Sequence, residues 1–175
     1  MKDTTLFLML IAVALLVVFL VLWTRRPRAT AAPTQDEAWI LIDGSNVMHW
    51  QEGAVALAPL TEVIGRLKEL GYVPGVVFDA NAGWKLAGRY LHDGDLARLL
   101  VLETRQVLVV PKGTQADTYL LETAREFGVR IVTNDRYRDW AEAHPEVLEQ
   151  GFLIRGGMRD GRVWLKGLAA KEAAL

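Results

Sequence analysis

Between Ala38 and Arg155 the sequence keeps changing its period. Short apolar runs alternate with stretches whose apolar residues recur every three to four positions. The runs are AWILI (38–42), VPGVVF (73–78), QVLVV (106–110), VRIVT (129–133) and GFLIR (151–155). They are too short for helices and rich in β-branched residues, so they are expected to be strands. Strands apolar at nearly every position are buried on both faces, as in a parallel sheet sandwiched between helices. The expected fold is therefore α/β, a parallel sheet of about five strands flanked by helices. MRDGRVWL (158–165) adds a hairpin turning at Asp160-Gly161.

The intervening stretches supply the helices. In LAPLTEVIGRLKELGY, Leu60, Val63, Ile64, Leu67 and Leu70 fall on one helical face, and Gly71 stops it as a C-cap would. Asn81 to Asp93 is expected to be loop with one helical turn. GDLARLLVLE is helical, with Asp95 near its start as a cap. QADTYLLETAREFG places Ala116, Tyr119, Leu120, Ala124 and Phe127 on one face and stops at Gly128. RYRDWAEAH is a short helix before Pro145.

The first 37 residues obey different rules. Leu6 to Trp23 is uninterrupted by charge, Gly or Pro. At about 1.5 Å per residue such a helix covers roughly the hydrocarbon thickness of a bilayer. A cleavable signal peptide competes with an uncleaved transmembrane anchor. The "ATA" at Ala29–Ala31 fits cleavage, but the run is longer than a usual signal core. Its basic cluster, Arg25, Arg26 and Arg28, follows the run instead of preceding it. The anchor is the preferred expectation, and the positive-inside rule then places the C-terminal part in the cytoplasm. The expected organisation is a single-pass anchor with its basic flank (1–28), a Pro-containing tether (29–37) and one domain (38–175). The chain carries net −1, of which the first 28 residues account for +3, so the domain is mildly acidic. Bulk charge therefore does not announce nucleic-acid binding. The absence of cysteine excludes disulfides and zinc-thiolate sites.

Three strands end on an acid: Asp43, Asp79 and Asp135. In an open parallel sheet the strand carboxyl ends share one edge, and ligands bind where the strand order reverses. If the first and fourth strands are neighbours there, Asp43 and Asp135 face each other. Asp117 begins the helix that leaves the same edge, and Asp139 follows Asp135 by one helical turn. Crowded carboxylates call for a cation or a proton. Oxygen ligands without His or Cys suit Mg²⁺ or Mn²⁺, and such a site suits metal-assisted phosphodiester hydrolysis. Each acid alone is as readily a helix cap; the case rests on their convergence.

WILIDGSNVMHW, ADTYLLETA and IVTNDRYRDW, in this order, resemble the NYN domains of the PIN-like nuclease superfamily, with the nearest resemblance to the Regnase-type (MCPIP-like) ribonucleases. The resemblance spans about Ala38 to Leu165. It implies a parallel sheet with an acidic Mg²⁺ site at the strand carboxyl ends and endonucleolytic cleavage of RNA. It assigns Asp43, Asp117, Asp135 and Asp139 to the metal, and Asn46 to catalysis beside Asp43 and Asp135. The family's Asp-Asp pair departs here to Ala116-Asp117, which removes one ligand and puts metal number in question.

Further candidates surround these acids. Ser45, Lys112, Arg136 and Arg138 are candidate substrate contacts; loop geometry is the alternative for Ser45, and a solvated side chain for Lys112. Arg138 is also a candidate partner for a site carboxylate. Lys85, Arg89 and Arg98 are candidates for a basic track. Trp50, Trp84 and Trp140 are candidates for stacking on bases, with packing against the sheet as the alternative. Of the histidines, only His49 lies near the site loop. The expected function is a membrane-anchored, metal-dependent endoribonuclease acting on single-stranded RNA or structured loops, with homo-oligomerisation open. The alternative is a catalytically weak module binding RNA or a protein at the membrane. A von Willebrand-type adhesion site is disfavoured by Val47 where a second serine belongs. An aspartyl phosphatase is disfavoured by Ser45 where a second acid belongs.

Overall fold

The computed structural model describes residues 37–53 and 55–168. Among them six strands form one sheet: β1 (Trp39–Asp43), β2 (Val73–Phe78), β3 (Val107–Val109), β4 (Arg130–Thr133), β5 (Leu153–Arg159) and β6 (Arg162–Leu165). Their order is β3-β2-β1-β4-β5-β6. The first five pair in parallel, while β6 pairs antiparallel with β5 through the Asp160-Gly161 turn. The sheet is thus mixed and six-stranded, not a parallel sheet of about five. The hairpin legible in the sequence extends the same sheet instead of standing apart from it.

Strand alternation sorts the core into two. Ile40, Ile42, Val76, Phe78, Val107, Val109, Val132 and Ile154 point to one face. There they meet α1 (Gly44–Val47), α2 (Ala58–Glu69), α3 (Ala82–Ala87) and α4 (Asp93–Leu100). Leu41, Val77 and Ile131 point the other way, onto α5 (Ala116–Phe127). Side chains two apart on a strand share a face. Asp43 and Thr133 therefore lie on the α5 side, in step with Leu41 and Ile131.

Several helical expectations hold and two do not. α2 buries Leu60, Val63, Ile64 and Leu67, and Gly71 adopts φ +82° just beyond it. α5 ends at Gly128 in the left-handed conformation. It buries Ala116, Leu120, Leu121 and Ala124, whereas Tyr119 and Phe127 are exposed. The face of α5 that meets the sheet is centred on Leu120–Leu121, which turns Tyr119 and Phe127 to solvent. RYRDWAEAH forms only a 3₁₀ turn at Arg138–Trp140. Asp95 caps α4 as expected: its carboxylate accepts from the His92 backbone while the His92 ring accepts from the Gly94 and Asp95 N–H groups.

No helix among the described residues is long and apolar enough to cross a membrane. The run from Leu6 to Trp23 lies outside the described residues.

Candidate active site

β1 and β4 are sheet neighbours, with Ile42 opposite Val132, and the chain order reverses between them. Asp43 therefore stands at the reversal, where ligand crevices form in such sheets. Gly44 makes the exit from β1 possible. A Cβ there would stand 2.7 Å from both Phe78 and Val76, so only glycine lets α1 lie against β2.

Asp43 is buried and its carboxylate accepts three hydrogen bonds. Oδ1 accepts from the Asn46 backbone N–H at 3.0 Å. Oδ2 accepts from the Tyr137 hydroxyl at 2.7 Å and the Thr133 hydroxyl at 3.2 Å. Thr133 in turn accepts from the Asp135 N–H at 3.0 Å, which ties the loop after β4 to the end of β1. Burial raises the Asp43 pKa to about 6; the Tyr137 and Asn46 hydrogen bonds hold it lower than burial alone would, and the charge of Asp117 adds to the rise. Burial and the facing Asp43 charge push the Tyr137 phenol far above its ordinary range, so it stays a donor. Tyr137 reaches this position from a left-handed backbone, φ +48°.

Asp117 is the hub of the acids. It is half-buried in the first turn of α5. Burial raises its pKa, as do the charges of Asp135 and Asp79, while the Trp140 side chain opposes the rise by hydrogen bonding. Asp43, Asp79 and Asp135 therefore all lie near one carboxylate, from three different strand ends. Asp79 is the acid the sequence placed on this edge without assigning it to the site. Its backbone N–H donates to the Ser45 hydroxyl at 2.8 Å, which pins the end of β2 to the start of α1.

The other candidates sort differently. Asp139 is exposed and lines an open cleft with Asn134, Asp135, Arg136 and Arg138. The intended helical turn from Asp135 to Asp139 is not formed; Asp135 Oδ1 instead accepts from the Tyr137 N–H at 2.8 Å. The Asn46 side-chain oxygen accepts from the Trp50 indole at 2.8 Å and the Asn134 N–H at 3.1 Å, so it braces two loops. Ser45 likewise serves loop geometry. His49 is exposed and its ring pairs with the Ser45 carbonyl. Lys112, Arg136 and Arg138 are exposed, and Arg138 forms no ion pair with a site carboxylate among the described residues.

The tryptophans divide. Trp50 is 7 % exposed and packs on Gly156, where a Cβ would collide with its ring. Trp140 is partly buried and serves Asp117. Trp84 is 60 % exposed on α3, which follows Asp79 on the same edge. Ala116, where the resemblance expects an acid, is buried in the α5-side core.

The all-oxygen, mutually repelling donor set around Asp117 has the chemistry of a hard dication site. Among the described residues no three His, Cys, Asp or Glu side chains are close enough to hold an ion by themselves. Mg²⁺ commonly uses one or two carboxylates and completes its shell with water and substrate phosphate. The residues present fit that mode and not an all-protein cage.

Comparison with known proteins bears on the whole arrangement. The family model for the Zc3h12a-like ribonuclease NYN domain matches residues 36–150. No curated protein matches the sequence significantly. A crystal structure of nuclear proteinaceous RNase P 2 (PRORP2) from A. thaliana superposes with a TM-score of 0.58 at 19 % identity, over 78 % of this chain and 31 % of that one. A second structure, of Arabidopsis thaliana nuclear protein-only RNase P 2, gives 0.49 at 19 % identity, over 91 % and 35 %. The chain thus spans about a third of the length of these structures, and the first of them shares its fold.

Proposed function

This chain belongs to the Zc3h12a-like ribonuclease NYN domain family, and from that premise we propose that it is a metal-dependent endoribonuclease whose centre is the Asp117 hub. The observation that carries the proposal is the hydrogen-bonded link from Asp43 through Thr133 to Asp135 at the β1–β4 reversal, with Asp117 in the first turn of α5 near enough for its charge to bear on Asp43. Asp117 and Asp135 would hold a Mg²⁺ or Mn²⁺ ion, with Asp79 beside them. Bound there, the ion would lower the pKa of a water and neutralise charge on the phosphoryl oxygens.

The chain's own residues set the stage for that chemistry. Asp43 is locked by three donors, so it orients the β1–β4 edge and supplies fixed negative charge. Thr133 transmits that position to Asp135. Asn46 holds the Asn134 N–H and keeps the loop after β4 against α1. Arg136, Arg138 and Lys112 stand exposed where an RNA backbone would pass, and the Trp84 ring is available to stack on a base. Asp139 lines the same cleft as the two arginines.

Fluorescent single-stranded RNA with Mg²⁺ or Mn²⁺ tests this directly. Asp117→Asn and Asp135→Asn are expected to lose about a hundredfold or more in cleavage while the protein stays folded. Cleavage by both variants at the wild-type rate refutes the site.

A second reading is favoured by one observation. The position where the family resemblance expects the first acid of a pair is the buried Ala116. A centre short of one carboxylate binds RNA and cuts it slowly. Retention of RNA for hours without product would support this module over the enzyme.

The apolar run from Leu6 to Trp23 and the arginines behind it support a single-pass anchor that leaves the nuclease domain in the cytoplasm. Extraction of the whole chain from membranes by alkaline carbonate would refute the anchor.

A further inference from the structure

The sheet register carries a polar row past Asp43. Ile42 faces Val132, so Asp43 faces Thr133, and Thr133 faces Arg155 on β5. All three are in step with the core residues of the α5 face, Leu41, Ile131 and Leu153, two positions earlier on their strands. An acid, a hydroxyl and a guanidinium thus follow one another across three adjacent strands. GFLIR reads as an apolar strand, yet its arginine points to the functional side of the sheet.

Arg155 Nη1 donates to the Asp135 carbonyl at 2.6 Å. That contact uses one of the five N–H groups of a guanidinium. Arg155 also lines a cleft with Arg136, Arg138, Leu148 and Glu149. Arg136 and Arg138 are shared with the cleft that holds Asp135 and Asp139, so the basic cleft and the acidic one adjoin. Arg155 is partly buried, and the Arg136 charge acts against its own. Three cations around a cleft with one exposed acid repel each other and are relieved by an anion, as crowded carboxylates are relieved by a cation. Arginine offers the bidentate geometry that fits a phosphate.

We propose that Arg155, with Arg136 and Arg138, forms a subsite for a non-scissile phosphate of the RNA, one step along the strand from the acidic centre. The proposal rests on the ribonuclease reading, since it takes RNA as the occupant. Adjacency to the Asp135 cleft favours RNA over an acidic peptide. Through its bond to the Asp135 carbonyl, Arg155 would couple occupancy of this phosphate site to the placement of Asp135.

Binding of short single-stranded RNA to the whole chain, in EDTA so that nothing is cut, separates the possibilities. Affinity is measured over a range of salt for wild type, Arg155→Gln, Arg155→Lys and Arg136→Gln, with melting temperature alongside. Arg155→Gln is expected to weaken binding about tenfold. It should also reduce the slope of log affinity against log salt by about 0.7, the loss of one phosphate contact on a single strand. Arg155→Lys should keep the slope and lose part of the affinity. An unchanged affinity overturns the proposal. So does a weaker affinity with an unchanged slope, which would mean that Arg155 acts only by holding the Asp135 loop. Equal competition by a poly-glutamate peptide overturns it in favour of a protein partner. If the predicted changes appear but wild type cuts no RNA with added metal, the subsite stands and the nuclease reading fails. Absence of RNA binding by wild type removes both.

Discussion

Replacing Asp43 with asparagine should make the protein more stable at alkaline pH. Asp43 is held in a buried site where its pKa rises from 3.8 to about 6. The folded state therefore prefers the protonated carboxyl, and the stability Asp43 lends is full below about pH 3.8 and lost as pH rises through about 6. Above that, keeping the charge costs about 3 kcal/mol, at 1.36 kcal/mol per pH unit. Asparagine is neutral at every pH. Its oxygen can still accept from the Asn46 N–H, and its amide can donate to the Thr133 or Tyr137 hydroxyl. One of the three hydrogen bonds is lost, which costs about 1 kcal/mol. The net expectation for Asp43→Asn at pH 8 is a gain of about 2 kcal/mol, or roughly 6–10 °C in melting temperature for a domain of this size. Urea or thermal unfolding in EDTA at pH 4, 6 and 8 measures it without interference from metal. The gain should grow across that range and be absent at pH 4. A variant less stable than wild type at pH 8, or equally shifted at pH 4 and pH 8, refutes the account of Asp43. Stability withheld at a functional site in this way is a familiar trade-off.

Two further outcomes follow from individual side chains. Trp84→Ala should weaken single-stranded RNA binding by about 1–3 kcal/mol if the ring stacks on a base. Because the side chain is 60 % exposed, the melting temperature should not move; fluorescence titration and a thermal melt check both. Gly44→Ala should cost about 1–3 kcal/mol in urea unfolding, because its Cβ would meet Phe78 and Val76 at 2.7 Å.

Much of this architecture was legible because it depends on period and on chain reversal. The apolar runs marked β1 to β5 and put Asp43, Asp117 and Asp135 on one sheet edge; that the first and fourth strands are neighbours was a condition the sequence left open, and the structure meets it. What escaped depends on paths and packing that no period encodes. Asp79 was on the correct edge, but its approach to Asp117 depends on how the chain leaves β2, where Ser45 holds it. Tyr137 reaches Asp43 only through a left-handed turn, and NDRYRDW carries no sign of it. Asp139 was expected to follow Asp135 up a helix, and that turn replaces the helix. Trp50, Trp84 and Trp140 look alike in sequence; a glycine on β5, an exposed helix face and an aspartate decide their separate fates. β6 was visible as a hairpin, but its pairing with β5 in the same sheet is a tertiary fact.

The separation along the chain between the groups that meet at Asp43 has a consequence for biosynthesis. Thr133 and Tyr137 lie 90 and 94 residues beyond it. A polypeptide emerging from the ribosome presents β1, β2 and β3 first, and their pairing leaves the β1 edge that awaits β4 open. Until β4 and its loop appear, Asp43 has neither hydroxyl donor and Asp117 has no Asp135. Contacts this distant close late in folding. A nascent chain is surrounded by the RNA that is making it, and under the proposed function this order of assembly keeps the acidic centre incomplete until most of the domain has been synthesised.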